Sequence, residues 1–172
     1  PVIVLTGGTA ALWYRSAANG TYVVEGLTFV GPTSGGPIMR VMVFDAATGT
    51  AGTAVSYTVR NCLFTANNGS NAPVTDLSST SVPNGQKYNW AIDFGAGDPV
   101  ANPNAVVNIE DCAFAFAGTD DGTLMVRNVG ATGHLTINVD RSFFIRGNGN
   151  GVRIFGNTTA SNCVLNVRNS AV

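Results

Sequence analysis

The sequence predicts an all-β fold built as a parallel β-solenoid of about five coils, and three observations support this prediction. A short pattern of alternating apolar and polar residues recurs five times along the 172 residues. Each copy contains a central residue that marks a sharp bend, and most copies are followed by a polar turn and another apolar run. Apolar residues make up 45% of the chain and charged residues only 11%, so a disordered chain is excluded.

The repeat sets the length of each coil. Its copies read YVVEGLTF from Tyr22, YTVRNCLF from Tyr57, VNIEDCAF from Val107, INVDRSFF from Ile137 and LNVRNSAV from Leu165. The copies begin 35, 50, 30 and 28 residues apart, which are spacings typical of solenoid coils with one large insertion. Alternate residues at the start of each copy are apolar, as in a strand with one buried face.

A bend divides each copy into two strands. The bend positions are Gly26, Asn61, Asp111, Arg141 and Asn169. Four of these five residues tolerate the left-handed backbone that a one-residue bend requires. After the bend the apolar phase shifts by one residue, which turns a second set of apolar side chains inward.

Stacked coils place equivalent side chains about 4.8 Å apart, so the repeat predicts ladders. One ladder contains Phe29, Phe64, Phe114 and Phe144. A ladder of small residues runs through Cys62 and Cys112, whose predicted spacing lies within the range for a disulfide. Buried cysteine also acts as a small apolar residue, and we favour a free buried pair. Cys163 is expected to be a buried thiol.

Further strands are predicted after turn signals, and they complete the coils. They cover residues 38–44, 90–94, 124–129 and 152–155. Residues 10–18 are expected to form one short helix. The whole chain, 1–172, is predicted to be a single solenoid domain with a lateral loop insertion at about 65–89.

The strand–bend–strand unit, as in Val59-Arg-Asn61-Cys62-Leu-Phe64, resembles that of the pectate-lyase-like superfamily. That superfamily includes autotransporter adhesins and phage tailspikes. The resemblance covers about residues 20–172 and implies a right-handed parallel β-helix. It implies little about function, because this fold hosts many unrelated activities. The main alternative fold is an antiparallel sandwich or jelly roll, which has no reason to repeat a bent unit five times.

Fragments of catalytic motifs occur, but they do not form a set. The fragments that resemble polygalacturonase motifs are Asp120-Asp121, Gly133-His134 and Arg153-Ile154. Leu135 stands where that family has a second glycine, Phe155 stands where it has a lysine, and spacings of 13 and 19 residues fall short of one coil. Asp93 and Asp98 lack the further acidic residues that a calcium site needs. We therefore expect no catalytic residue, no cofactor and no metal site.

Charge and composition restrict the partners and the location. A net charge of −1 excludes a basic nucleic-acid groove as the leading function, and no run approaches the ~18 apolar residues that a membrane span needs. Scarce lysine with plentiful Asn, Thr and Gly is typical of secreted proteins, so an extracellular or cell-surface location is expected. Sequons at Asn19, Asn68 and Asn157 are about as frequent as chance predicts. The outward charges Glu25, Arg60, Glu110, Asp140 and Arg168 are expected to form a structural ladder.

The chain ends suggest a function. A solenoid exposes unpaired backbone groups at each end, and soluble repeat proteins normally carry polar caps there. Neither end of this sequence shows such a cap, so the chain is either part of a longer solenoid or completed by other copies. The candidate assembly interface consists of Pro1, Val2, Ile3, Val4, Leu5, Leu165, Val167, Ala171 and Val172. The sequence thus favours a non-enzymatic structural protein that forms a head-to-tail homopolymer, as a filament or surface fibre.

A carbohydrate-directed module is the alternative function. The long insertion ends in Lys87, Tyr88 and Trp90, which are candidate ligand-contact residues. Aromatic side chains beside amides suit sugar stacking, so a polysaccharide is a candidate partner. The chain would then be an adhesin, a tailspike, or a fragment of a polysaccharide lyase or hydrolase. The sequence supports a second interpretation equally well, in which Trp90 begins a core strand and the insertion is a polar loop without a ligand.

Overall fold

The computed structural model describes residues 1–5, 12–15, 20–33, 38–45, 54–76, 82, 87–94, 104–115, 123–127, 134–145, 152–155 and 163–171. Within these ranges the chain is all β and contains no helix, which confirms the predicted class. The strands are β1 (Val2–Val4), β2 (Leu12–Arg15), β3 (Gly20–Glu25), β4 (Thr28–Val30), β5 (Ile38–Asp45), β6 (Ala54–Arg60), β7 (Leu63–Thr65), β8 (Tyr88–Phe94), β9 (Asn104–Glu110), β10 (Ala113–Ala115), β11 (Leu124–Arg127), β12 (His134–Asp140), β13 (Phe143–Ile145), β14 (Val152–Phe155) and β15 (Cys163–Arg168).

The strands form three parallel sheets, each named here by its first strand. The β1 sheet has the order β1-β4-β7-β10-β13, the β2 sheet β2-β5-β8-β11-β14, and the β3 sheet β3-β6-β9-β12-β15. Three consecutive strands, which we call a triplet, therefore pass once through all three sheets. All pairings between these strands are parallel, which contradicts the antiparallel sandwich. The arrangement is compatible with a β-helix or solenoid.

The β3 sheet aligns the five copies of the repeat without a register slip. One column of directly paired residues contains Val24, Val59, Ile109, Val139 and Val167. Val59 and Ile109 are completely buried, as the apolar alternation predicts. A slip of one residue would turn every apolar side chain of a strand outward, so the core fixes the register.

A residue with a left-handed backbone conformation follows every strand of the β3 sheet. After the first four of these strands, it leads into the next strand of the β1 sheet. The φ angles are 68° at Gly26, 53° at Asn61, 52° at Asp111, 48° at Arg141 and 49° at Asn169, which follows β15. Arg141 is the unexpected member, because arginine has no intrinsic preference for this conformation. Its guanidinium donates hydrogen bonds to both carboxylate oxygens of Asp111, at 2.7 and 2.9 Å. The side chain of this left-handed residue therefore contacts the residue at the neighbouring bend.

The aromatic ladder packs beneath the β1 sheet. Successive ring centroids lie 5.0 Å apart for Phe29 and Phe64, 4.8 Å for Phe64 and Phe114, and 4.9 Å for Phe114 and Phe144. The rings are nearly parallel, with interplanar angles of 12° to 16°. The predicted ladder is confirmed, and it continues to Ile3, which pairs with Phe29.

A column of thiols and hydroxyls follows the bend. Its members are Cys62, Cys112, Ser142 and Ser170, and each side chain donates a hydrogen bond to the carbonyl two residues earlier, at 2.7 to 3.3 Å. All three cysteines of the chain are free thiols; Cys62 and Cys112 are buried, whereas Cys163, expected to be buried, is half-buried on the end strand β15. The neighbouring Cys62 side chain, together with burial, raises the pKa of the Cys112 thiol. Serine replaces cysteine in this column because both supply one small donor.

Two predictions made from the sequence differ from the structure. Within residues 10–18, expected to be helical, Leu12–Arg15 forms β2, because it pairs in parallel with β5. The range predicted as the insertion, about 65–89, overlaps β7, which ends at Thr65, and β8, which begins at Tyr88 rather than at Trp90. In the described part of this insertion, Asn67 forms an isolated antiparallel bridge with Pro73.

Candidate assembly surface at the end strands

The last strand of the β3 sheet, β15, exposes side chains that its neighbours bury. Leu165 is 38% exposed, whereas Ile137, its partner on β12, is completely buried. Val167 is 44% exposed, whereas its partner Val139 is 1% exposed. The sequence pattern is the same on both strands, so the difference arises because none of the described strands pairs with the outer edge of β15.

The inward side chain Val24 of β3, the other end strand of this sheet, is covered. Val24 on β3 is only 4% exposed and shares a core cluster with Leu5, which is 5% exposed. Leu5 donates its backbone N–H to the carbonyl of Val30 at 2.9 Å, and the carbonyl of Pro1 accepts a hydrogen bond from Thr28 at 2.9 Å. The inward side chains of the two end strands therefore differ: Val24 on β3 is buried, whereas Leu165 and Val167 on β15 are exposed.

The remaining predicted interface residues occupy the edges of the β1 sheet. Pro1 and Val2 are exposed, and Ile3 and Val4 are half-buried on the edge strand β1. Ala171 is exposed and forms a parallel bridge with Phe143, beyond β13. Val172 lies outside the described residues.

The outward charges lie in one column, as predicted, and its two ends have opposite sign. The column runs Glu25, Arg60, Glu110, Asp140 and Arg168. Arg60 donates a hydrogen bond to Glu25 at 2.8 Å, and this hydrogen bond lowers the pKa of Glu25. The acidic end residue lies on β3 and the basic one on β15.

The charge alternation is interrupted where Glu110 pairs with Asp140. Arg141, on the adjacent bend, contacts both Asp140 and Asp111 and offsets the excess negative charge. Asn169 also donates a hydrogen bond to Asp140 at 2.9 Å. The interruption is visible in the sequence, but the compensation from the bend is not.

An amide ladder lies beside the charge column, and the sequence-based predictions did not include it. Asn138 donates a side-chain hydrogen bond to Asn108, and Asn166 donates one to Asn138, each at 2.9 Å. The signal was the asparagine between two apolar residues in the last three copies of the repeat. The ladder ties β9, β12 and β15 together on the outer face of the sheet.

A shallow groove of about 550 Å³ runs along the bends. Its wall includes Asn61, Asp111 and Arg141 from the bends and Leu63, Ala113 and Phe143 from the outer face of the β1 sheet. Phe143 is 50% exposed and therefore offers an aromatic surface beside the Asp111–Arg141 ion pair.

The predicted ligand-contact residues of the insertion are buried. Tyr88 is completely buried, Trp90 is 4% exposed and Lys87 is 9% exposed. Tyr88 packs edge-on against Phe64 at 6.4 Å, and burial raises its pKa well above the ordinary value. Tyr88 and Trp90 lie on β8 within the β2 sheet and Lys87 immediately precedes it, so all three offer little surface to a ligand.

The candidate catalytic and metal-binding residues are not brought together in the described ranges. Asp120, Asp121 and Asp98 lie outside those ranges, His134 is exposed at the start of β12, and Asp93 is buried on β8. Among the described residues, no three His, Cys, Asp or Glu side chains are placed to hold a metal ion. The same residues include no helix with the length and apolar character of a membrane span.

Comparison of the chain with known protein families, with curated proteins and with solved structures finds no match.

Proposed function

We propose that the five triplets are the coils of a right-handed parallel β-helix, and that the chain is a non-enzymatic structural protein. Its copies assemble head to tail into a filament or surface fibre, outside the cell or on its surface. The cyclic passage through three parallel sheets supports the solenoid, and the composition supports the location. The resemblance of the strand–bend–strand unit to the pectate-lyase-like superfamily supports the handedness.

The exposed apolar side of β15 carries this proposal. Leu165 and Val167 continue the core columns but are more than one third exposed. The outer edge of a strand also presents unpaired N–H and C=O groups, which favour pairing with another strand. An added strand would bury the two side chains and satisfy these backbone groups at the same time.

A second copy can supply that strand through its first triplet. The contact joins the last strand of one copy to the first strands of the next, so it is heterologous. Such contacts extend into filaments when the rotation between copies does not close a ring. Strand addition provides the backbone hydrogen bonds, and the inward side chains provide the specificity.

Negative-stain electron microscopy and sedimentation velocity of the purified chain test this function. We expect fibres of uniform width above a critical protein concentration at neutral pH. Val167→Asp should abolish the fibres, because it places a charge on the inward side of β15. Val164→Asp is the matched control, since Val164 is 49% exposed in the neighbouring outward column. A chain that stays monomeric at every concentration would contradict the proposal.

Carbohydrate binding in the groove along the bends is the second candidate. The half-exposed ring of Phe143 beside Arg141 and Asp111 combines an apolar platform with polar groups, which is the usual composition of a small-ligand site. A panel of soluble polysaccharides tested by affinity electrophoresis addresses this candidate. We expect retardation that Phe143→Ala removes and Val164→Ala leaves; the absence of retardation across the panel would contradict it.

A further inference from the structure

The proposed head-to-tail assembly implies a particular junction, and this inference rests on that proposed function. We propose that β15 of one copy pairs in parallel and in register with β3 of the next copy. Arg168 then faces Glu25 of the next copy. The partner recognised by the β15 edge is therefore a second copy of this chain, selected by the charge at its first triplet.

The register of the junction follows from the sheet itself. Four successive pairings, from β3 to β15, keep the same columns. Continuing them by one strand places Val24 of the next copy on Val167 and Tyr22 of the next copy on Leu165. A slip of one residue would set the inward apolar side chains of one copy against the outward polar ones of the other.

Charge complementarity distinguishes this partner from an arbitrary strand. Arg168 is the basic end of the charge column, next to Asp140, and Glu25 is the acidic end, next to Arg60. In-register stacking therefore extends the column as acid, base, acid, base across the junction. Opposite charges directly across paired strands stabilise the pairing, and like charges oppose it.

Apolar burial at the junction is one-sided, which makes the charge match important. Val24 is already 4% exposed in the single chain, so the gain comes mainly from Leu165 and Val167. The new apolar contact is therefore small. Backbone pairing and the Arg168–Glu25 match must supply the remaining selectivity.

The residues after β15 compete with the incoming copy. Ala171 bridges Phe143: its N–H donates to the carbonyl of Ser142 at 3.2 Å, and its carbonyl accepts from Phe144 at 2.9 Å. Along the β1 sheet this position is the column of Val2. Val2 of the next copy can reach Phe143 only after Ala171 leaves, so the Ala171–Phe143 bridge opposes assembly.

Charge reversal tests the junction. We expect Arg168→Glu and Glu25→Arg each to raise the critical concentration for fibres about tenfold or more, because each places like charges across the junction. An equimolar mixture of the two variants should restore assembly, since every contact between unlike copies then joins a carboxylate to a guanidinium again. Circular dichroism and thermal unfolding check that both variants are folded. High salt should weaken wild-type assembly through screening.

If charge reversal disturbs folding, two charge-neutralising substitutions in the same column provide a matched comparison. Glu25→Gln should raise the critical concentration, whereas Glu110→Gln, which removes a charge from the middle of the same column, should not. If each charge-reversed variant forms fibres as readily as the wild type, the proposed register is wrong, but head-to-tail assembly is still supported. A wild-type chain that forms no fibres would overturn the assembly and this junction together.

Removal of Ala171 tests the displacement step. A variant truncated after Ser170 should assemble at a lower critical concentration than the 172-residue chain, because Val2 of the next copy no longer competes with Ala171. A higher critical concentration would show that Ala171 is part of the junction and would overturn the displacement.

Discussion

The middle and the end of the β3 sheet have the same local sequence pattern but differ in burial. β9 and β12 have neighbours on both sides, and their inward side chains are at most 7% exposed. β15 has one neighbour among the described strands, and the equivalent side chains Leu165 and Val167 are 38% and 44% exposed. The alternation of residue types sets which way a side chain points, and what packs against the strand decides whether it is buried: Val24 on the end strand β3 is covered within a cluster that includes Leu5, whereas Leu165 and Val167 on β15 are not.

The largest expected effect concerns the aromatic ladder. Phe114 has a stacked ring on each side and is 1% exposed, whereas Phe144 is half-buried near the end of the β1 sheet. Phe114→Ala should lower the free energy of unfolding by about 3–5 kcal/mol, the usual cost of emptying a buried aromatic site. Phe144→Ala should cost clearly less. Urea unfolding of both variants measures the difference, and equal losses would contradict the distinction between middle and end.

The next effect concerns two aliphatic residues of a single column. Ile137→Ala should cost about 2–5 kcal/mol, because the side chain is completely buried. Leu165→Ala should cost about 1 kcal/mol in the unassembled chain, since part of that side chain already contacts water. Both are measured by urea unfolding below the concentration at which fibres form. A Leu165→Ala loss as large as that of Ile137→Ala would mean that β15 is already covered.

The sequence predicted the repeated parts of the fold because repetition makes them visible. Five copies of one pattern indicated the bend at Asn61 and its equivalents, the phenylalanine ladder and the register of the β3 sheet. The same repetition did not predict β2, because Leu12–Arg15 lies outside the repeated unit and is a strand only through its pairing with β5.

The candidate site was less predictable than the fold. Their place in the last copy of the repeat marked Leu165 and Val167 as interface candidates, and both side chains are more than one third exposed. The sequence left open whether Trp90 begins a core strand or contacts a ligand, and the structure buries Trp90 on β8. Residue type could not choose between the two, because the strands of the β2 sheet lie outside the repeated pattern. The ion pair from Arg141 to Asp111 spans 30 residues and joins the bend positions of two successive copies of the repeat, which the sequence aligned without indicating a contact.

A smaller effect concerns the bends, where middle and end should behave alike. Asn61 has a φ of 53°, a conformation that costs most other L-residues about 1–2 kcal/mol. Asn61→Ala should therefore lower the free energy of unfolding by about 1 kcal/mol, and Asn61→Gly should change it little. The same substitutions at Asn169, with a φ of 49°, test the end of the sheet. Tolerance of alanine at both bends would contradict the backbone argument.

The smallest effect is the pH dependence from the outward ion pairs, where the contrast between middle and end should vanish. Hydrogen bonds from Arg141 hold the pKa of Asp111 below its ordinary value of 3.8, and a hydrogen bond from Arg60 likewise lowers that of Glu25. A carboxyl whose pKa is lowered by folding stabilises the folded chain above the unfolded pKa, and this contribution disappears as the pH falls through the folded pKa. Asp111→Asn and Glu25→Gln should each slightly flatten the loss of stability between about pH 5 and pH 2, followed by urea midpoints. Because both pairs face water, their contributions should be similar and should disappear at high salt, whatever their place in the stack. A much larger effect at Asp111 would mean that its pair with Arg141 also holds the left-handed bend, and is therefore part of the fold rather than of its surface.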